Sequence, residues 1–202
     1  MSIKGADIRN IAVIGHSGEG KTSVCEAILF NGKATDRLGK VTEGTTVTDS
    51  DEQEIARKMS ISLGVAYAMW EGVKLNLLDV PGFYDFEGEE NEALRAAGGA
   101  LIVTGATGTL SVGAEKAIDK CLKNKIPMVV FINGVDKENA DYAGTVAALK
   151  QKYAGKIAPI QIPLMEGNKM VGYVNALKET CYHFADEAKK QPVPIPEELK
   201  GT

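Results

Sequence analysis

The octet GHSGEGKT, from Gly15 to Thr22, decides the fold of this 202-residue chain. It matches the pattern Gly-x-x-x-x-Gly-Lys-Thr and lies between an apolar run, residues 11–14, and a helix-forming run. In that context the pattern predicts a loop whose backbone N–H groups enclose phosphate oxygens, aided by the positive end of the following helix. A chance glycine-rich turn is the alternative, and the flanking strand and helix patterns disfavour it. The octet therefore predicts a nucleoside triphosphate site.

The loop side chains divide into two groups. The Lys21 ammonium is expected to reach the β- and γ-phosphates, and the Thr22 hydroxyl is expected to ligate Mg²⁺. The His16 side chain is expected to face solvent, and the Glu19 carboxylate to point away from the phosphates. The predicted nucleotide-binding residues of the loop are Gly15, His16, Ser17, Gly18, Glu19, Gly20, Lys21, Thr22 and Ser23.

Composition narrows the class of protein. A net charge of −4 and a pI near 5.3 argue against a surface that coats nucleic acid, so no direct DNA binding is expected. Three widely spaced cysteines have no metal-ligand spacing and indicate reduced thiols. The N-terminus lacks the apolar core of a signal peptide, and the apolar runs are too short to cross a bilayer. These features predict a cytoplasmic protein without a membrane segment.

Apolar periodicity predicts strands that alternate with helices, which indicates a mostly parallel α/β sheet. Large apolar residues at alternate positions from 61 to 69 predict a strand with one face buried, paired in an antiparallel hairpin with residues 74–79. Residues 32–48 show little periodicity and are expected to be mobile. The other predicted strands are 8–15, 100–105 and 127–132, and the predicted helices are 21–31, 88–97, 112–124 and 140–153.

The chain beyond residue 156 has a different pattern. Two short extended runs flank the turn at 166–168, and a helix is expected near 174–189. We therefore predict a domain core over residues 1–156 and a partial second lobe, with the start of a further helix, over residues 157–202.

Two further motifs follow predicted strands. Asp79-Val80-Pro81-Gly82 places a carboxylate where it can hold Mg²⁺ through water, and the Gly82 N–H where it can bond a γ-phosphate. Asn133-Gly134-Val135-Asp136 offers an aspartate that can accept hydrogen bonds from N1 and N2 of guanine, which adenine cannot donate. A plain turn at the end of the strand is the alternative for the second motif, and Asn-Gly favours it.

With these motifs in place, the chain resembles the G domain of translational GTPases, above all elongation factor G and its paralogues. Residues 48–54, Arg57 and Ser60-Ile61 resemble the first switch of that family, and residues 79–82 with Asp85-Phe86 resemble its second. Residues beyond 157 resemble the lobe that elongation factor G inserts into its G domain.

The resemblance implies a three-layer P-loop NTPase fold of the Ras-like G-domain type, with one antiparallel hairpin strand and the start of an inserted lobe. It implies GTP and GDP as ligands with Mg²⁺, hydrolysis that resets two switches, and the ribosome as partner of a full-length, monomeric protein. The residues implied are Thr22, Ser60 and Asp79 for the metal, Asn133 and Asp136 for guanine, and Lys21 and Gly82 for the γ-phosphate.

Four departures from the family pattern modify these expectations. Ser60 replaces the switch threonine and keeps its hydroxyl. Phe83 occupies the catalytic position of a histidine that places the attacking water, and its ring cannot form hydrogen bonds, so slow hydrolysis is expected. Gly134 replaces a lysine whose stem covers the base, which predicts roughly ten- to thirtyfold weaker but still guanine-selective binding. No Ser-Ala-like turn follows Asp136, so the domain is expected to be incomplete.

Three other interpretations remain open. Phe83 and Gly134 favour a GTP-binding interaction module that does not hydrolyse the nucleotide. A paralogue of the ribosome-protection or release-factor type would share every motif discussed above. A P-loop ATPase is the third interpretation, and Asn133 with Asp136 argues against it.

Overall fold

β1 (Ile8–Ile14) is a central strand in the computed structural model, which describes residues 3–167, 169–184 and 195. Its last three side chains, residues 12–14, are fully buried because strands pair on both edges and a helix covers one face. β1 pairs in parallel with β3 (Val73–Asp79) and β4 (Gly99–Gly105), and β2 (Gly64–Trp70) is antiparallel to β3. β5 (Met128–Asn133) completes the sheet, whose order is β2-β3-β1-β4-β5.

Helices connect these strands and one of them follows the glycine-rich loop directly. Gly20, which precedes that helix, has φ of 91°, a conformation that only glycine adopts without strain. None of the helices in the described ranges is both long and apolar enough to span a bilayer. The helices are α1 (Lys21–Asn31), α2 (Glu52–Arg57), α3 (Glu87–Ala96), α4 (Val112–Asn124) and α5 (Tyr142–Lys152).

The predicted α/β fold with a mostly parallel sheet and one antiparallel hairpin strand is confirmed. α2 was not predicted, because it is a short helix within a polar segment without apolar periodicity. The described chain forms two compact units, the first from residues 1–104 and 111–133 and the second from residues 105–110 and 134–202. The boundary between residues 156 and 157 stays a prediction.

The orientation of β2 differs from what its sequence pattern suggests. The small side chains Ala66 and Ala68 are buried against α1, whereas Val65 and Tyr67 are 65% and 57% exposed. The alternation correctly predicts a strand with one buried face, but the buried face carries the small residues. Ala66 and Ala68 lie in one buried cluster with Cys25 and Leu29 of α1, and a Cβ added at Gly32, just after α1, would lie 2.7 Å from the Ala68 Cβ.

The second unit contains a three-stranded antiparallel sheet of β6 (Gln161–Glu166), β7 (Lys169–Asn175) and β8 (Thr180–His183), in that order. The expected hairpin around residue 167 is present, but the helix expected near 174–189 is wrong over its described part, where residues 174–175 end β7 and residues 180–183 form β8. Asn175 Oδ1 accepts hydrogen bonds from the N–H groups of Leu177 and Lys178 and so fixes a turn. Residues 185–189 of that expected helix lie outside the described residues.

Candidate functional site

The first turn of α1 follows the glycine-rich loop and carries Lys21 and Thr22, the two side chains predicted to contact the phosphates and the metal. Both are buried. Lys21 is 6% exposed, and its Nζ donates a hydrogen bond to the carbonyl oxygen of His16 at 3.0 Å. Burial lowers the pKa of Lys21, while the nearby carboxylates of Asp79 and Glu19 oppose that shift. A buried ammonium group at the start of a helix is suited to hold an anion.

The end of β5 fixes the shape of this loop. Asn133 Nδ2 donates to the carbonyl oxygen of Glu19 at 2.8 Å, so the predicted guanine residue also supports the loop backbone. Glu19 Oε2 accepts a hydrogen bond from the His16 N–H at 3.1 Å, so the acidic side chain folds back across the loop. These bonds hold the loop in a defined shape before any ligand binds.

The His16 side chain does not face solvent as expected. Its ring centroid lies 6.3 Å from that of Tyr84, and its Nδ1 is buried. A Cβ added at Gly113, in the first turn of α4, would lie 2.8 Å from His16 Nδ1. The ring occupies this space because α4 presents a glycine there.

Three predicted metal ligands come together beside the loop. The hydroxyl oxygens of Thr22 and Ser60 lie 3.2 Å apart, and Ser60 Oγ donates to Asp49 Oδ1 at 2.7 Å. Thr48 Oγ1 donates to Asp79 Oδ2, also at 2.7 Å. The segment of residues 48–60 therefore contacts both the end of β3, at Asp79, and the first turn of α1, at Thr22.

Thr48 and Asp49 are site residues that the sequence reasoning did not assign. Both are buried, and each bonds to a residue that was assigned. They begin the stretch 48–54 that resembles the first switch of the family. The neighbouring hydroxyl and carboxylate are the sequence signal that could have pointed to them. Their place beside Asp79 depends on how a long irregular segment folds back, which local pattern does not reveal.

Two buried carboxylates dominate the electrostatics of this cluster. Asp79 is 1% exposed, and burial raises its pKa to about 6, although hydrogen bonds from Thr48 and Thr22 oppose the shift. Burial also raises the pKa of Asp49, and the hydrogen bond from Ser60 opposes it. Within the described residues, Asp79 Oδ1 is buried and has no hydrogen-bond partner. A nearby cation would favour the charged form of both groups.

The donor set of the cluster fits Mg²⁺. It offers three hydroxyls and two carboxylates, which are the hard oxygen ligands that this ion takes together with water and substrate phosphates. The orphaned oxygen of Asp79 is suited to accept a hydrogen bond from a water on such an ion. Among the described residues no group of three or more His, Cys, Asp or Glu side chains could hold a metal alone.

The turn after Asp79 runs directly against the loop. A Cβ added at Gly82 would clash with Lys21 Nζ and would lie 2.6 Å from the Ser17 backbone nitrogen, so only glycine fits there. Phe83, in the predicted catalytic position, is 42% exposed. Its ring offers no group that could orient a water molecule.

The motif Asn133-Gly134-Val135-Asp136 turns sharply after β5. Gly134 has φ of 71°, and its carbonyl oxygen accepts a hydrogen bond from the Lys137 N–H at 3.1 Å. The methylene groups of Lys137 lie 3.0 Å from the place that a Cβ at residue 134 would take. The aliphatic stem of Lys137 therefore covers Gly134. The assignment of Asp136 to guanine stays a prediction.

A glycine-rich phosphate loop at the carboxyl end of a parallel strand, with hydroxyls and carboxylates gathered around its lysine and threonine, defines a P-loop nucleotide-binding fold of the G-domain kind. The chain belongs to the family of the elongation factor Tu GTP binding domain, which matches residues 6–194. The predicted resemblance to translational GTPases is thereby confirmed.

Curated relatives carry more specific names. An elongation factor G-like protein of Mycobacterium tuberculosis (strain ATCC 25618 / H37Rv) is 36% identical over 187 residues, which cover 93% of this chain and 26% of that protein. Elongation factor G of Dehalococcoides mccartyi (strain CBDB1) is 33% identical over 186 residues, or 92% of this chain and 27% of the relative.

A solved structure agrees with these relatives. A crystal structure of a protein from Thermus thermophilus matches with a TM-score of 0.86 and 36% identity, over 96% of this chain and 29% of the other. The chain thus spans 26% to 29% of the length of the relatives cited here.

Proposed function

We propose that this domain binds GTP and GDP with Mg²⁺ and hydrolyses GTP at a low intrinsic rate, as the switch domain of a longer elongation factor G-like protein that acts on the ribosome. The observation that carries the proposal is the convergence beside the loop of Thr22 with Ser60 and of Asp79 with Thr48, close to the buried ammonium group of Lys21. Family membership and the names of the relatives support the choice of nucleotide and of partner.

Each side chain has a role in this proposal. The loop amides and Lys21 bind the phosphates, and Gly82 brings its N–H to the γ-phosphate. The hydroxyls of Thr22 and Ser60 ligate the metal, and Asp79 holds it through water. Mg²⁺, when bound, neutralises the charge of the β- and γ-phosphate oxygens.

Recognition of the base depends on the last motif. Asp136 accepts hydrogen bonds from guanine, and Asn133 keeps the loop backbone in place through the carbonyl of Glu19. The stem of Lys137 lies over Gly134, where the family carries a lysine, and so restores part of the apolar cover.

Competition between nucleotides tests this proposal. With a fluorescent GTP analogue bound in the presence of Mg²⁺, unlabelled GTP is expected to displace it at a concentration at least about a hundredfold lower than ATP, because adenine leaves the Asp136 carboxylate unpaired. Equal displacement by ATP would contradict guanine recognition and favour the ATPase interpretation. Failure to bind either nucleotide would reject the site.

The exposed ring of Phe83 favours a second candidate function, a GTP-binding module that does not hydrolyse the nucleotide. Phe83→His is expected to raise the single-turnover rate of GTP hydrolysis by about tenfold or more, because a histidine can orient the attacking water. Phe83→Leu is the matched control, since it changes the ring but adds no hydrogen-bonding group. Should the His and Leu variants react at the same rate, the missing polar group is not what limits hydrolysis.

A further inference from the structure

The segment that brings Thr48, Asp49 and Ser60 to the candidate metal site is held in place by glutamates that accept hydrogen bonds from backbone N–H groups. Glu54 on α2 accepts from Asp51, Ile61 and Ser62, at 3.2, 2.9 and 3.1 Å respectively. Glu89 on α3 accepts from Leu63 at 2.7 Å, and Glu26 on α1 accepts from Gly39 and Val47. Of these three carboxylates, the one on α1 shares a helix with the phosphate loop.

Glu26 is 1% exposed and lies on the helix that Lys21 begins. Its Oε1 accepts from the Val47 N–H at 2.6 Å and its Oε2 from the Gly39 N–H at 3.2 Å. In the described part of the chain it forms no salt bridge, so amide donors compensate its buried charge. Such bonds are directional and require the two amides to keep their positions relative to α1.

The loop between these two amides is built to meet the carboxylate. A Cβ added at Gly39 would clash with Glu26 Oε2 and would lie 2.7 Å from the Thr45 carbonyl oxygen, so the backbone approaches the carboxylate as closely as only glycine permits. Lys40 and Thr45 bond each other across the loop, through the Lys40 N–H to Thr45 Oγ1 at 3.0 Å and the Thr45 N–H to the Lys40 carbonyl at 3.2 Å. Glu26 therefore holds both ends of a closed loop, and the next residue after Val47 is Thr48.

We propose that Glu26 is a positioning residue that couples the phosphate loop to the segment carrying Thr48 and Asp49. Its carboxylate fixes residues 39–47 against α1, and this placement delivers the hydroxyl of Thr48 to Asp79 and the carboxylate of Asp49 to Ser60. Moving Val47, and with it Thr48, away from α1 breaks the bond between the Val47 N–H and Glu26 Oε1. The coupling rests on the proposed function, because it describes how that nucleotide site is organised.

Glu26→Gln tests the coupling, because the amide keeps the size of the side chain but offers one acceptor and directs an NH₂ group at the second N–H. We expect the Gly39 and Val47 amides to exchange with deuterium about tenfold faster or more, while those of Ile61 and Ser62 keep their protection. We also expect the Mg²⁺ concentration that half-saturates retention of a non-hydrolysable GTP analogue to rise about tenfold. Glu43→Gln is the matched control, since it removes the same charge from an exposed residue of the same loop.

Gly39→Ala disturbs the same contact from the loop, together with the approach of Gly39 to the Thr45 carbonyl oxygen, and leaves the interior of α1 intact. It is expected to reproduce both effects, and the double variant to be no worse than the more severe single one, because both changes break the contact between Glu26 and Gly39. If Glu26→Gln does not fold, the result for Gly39→Ala decides. Unchanged exchange at Gly39 and Val47, or faster exchange with an unchanged Mg²⁺ requirement, would overturn the coupling. Wild-type protein that binds no GTP would reject the proposed function instead, and exchange in the nucleotide-free protein would still report on the contact.

Discussion

Lys21→Ala is expected to lower affinity for GTP by at least about a hundredfold, with binding lost at micromolar protein concentrations. The ammonium group is buried, and truncating one partner of a buried charge pair costs about 2–5 kcal/mol, which is roughly 30- to several-thousandfold in affinity. Its charge is also close to Asp79, so its removal leaves that buried carboxylate with less compensation. Titration with a fluorescent GTP analogue measures the effect.

Lys74→Ala provides the control for this loss of charge. Lys74 lies on β3 with its Nζ 4.4 Å from the centroid of the Tyr67 ring, away from the loop, and its replacement is expected to change GTP affinity less than about twofold. Circular dichroism of both variants separates loss of binding from loss of fold. Wild-type affinity in a folded Lys21→Ala protein would be incompatible with the proposed phosphate site.

Asp136→Asn is expected to move nucleotide preference from GTP toward XTP. Guanine presents two donors to the carboxylate, and an amide would place its own NH₂ against one of them, whereas xanthine carries an acceptor at that position. Sites that pair buried hydrogen-bonding groups reject the wrong partner by about 10⁴-fold, so the ratio of GTP to XTP affinity should fall by about a thousandfold or more. Competition titrations with both nucleotides measure the ratio.

Asp36→Asn serves as the control, because Asp36 is exposed and lies outside every predicted nucleotide motif. Its ratio of GTP to XTP affinity should equal that of the wild type. A folded Asp136→Asn protein with the same ratio would show that this residue does not contact the base, and the motif after β5 would then be a plain turn.

Local patterns predicted most of the fold correctly because they depend on near neighbours in the chain. The glycines and Lys21 of the loop act through backbone geometry within one turn of α1, and the hairpin of β2 and β3 follows from period-two alternation. The same reasoning failed at residues 174–183, where the turn fixed by Asn175 breaks a stretch that had been assigned to a helix. It also missed which face of β2 is buried, since burial depends on the helix packed against it.

The sequence by itself determined the phosphate loop, the alternating α/β order and the family, because these are encoded by residue types at short spacing. Only the tertiary structure decided that Thr48 and Asp49 join Ser60 at Asp79, and that Glu26 holds the loop that precedes them. The reason is physical: a buried carboxylate needs hydrogen-bond donors, and the hydroxyls and backbone amides that reach it come from separate segments of the chain. Nearly every residue carries such an amide, so no pattern of side chains reveals which ones will serve.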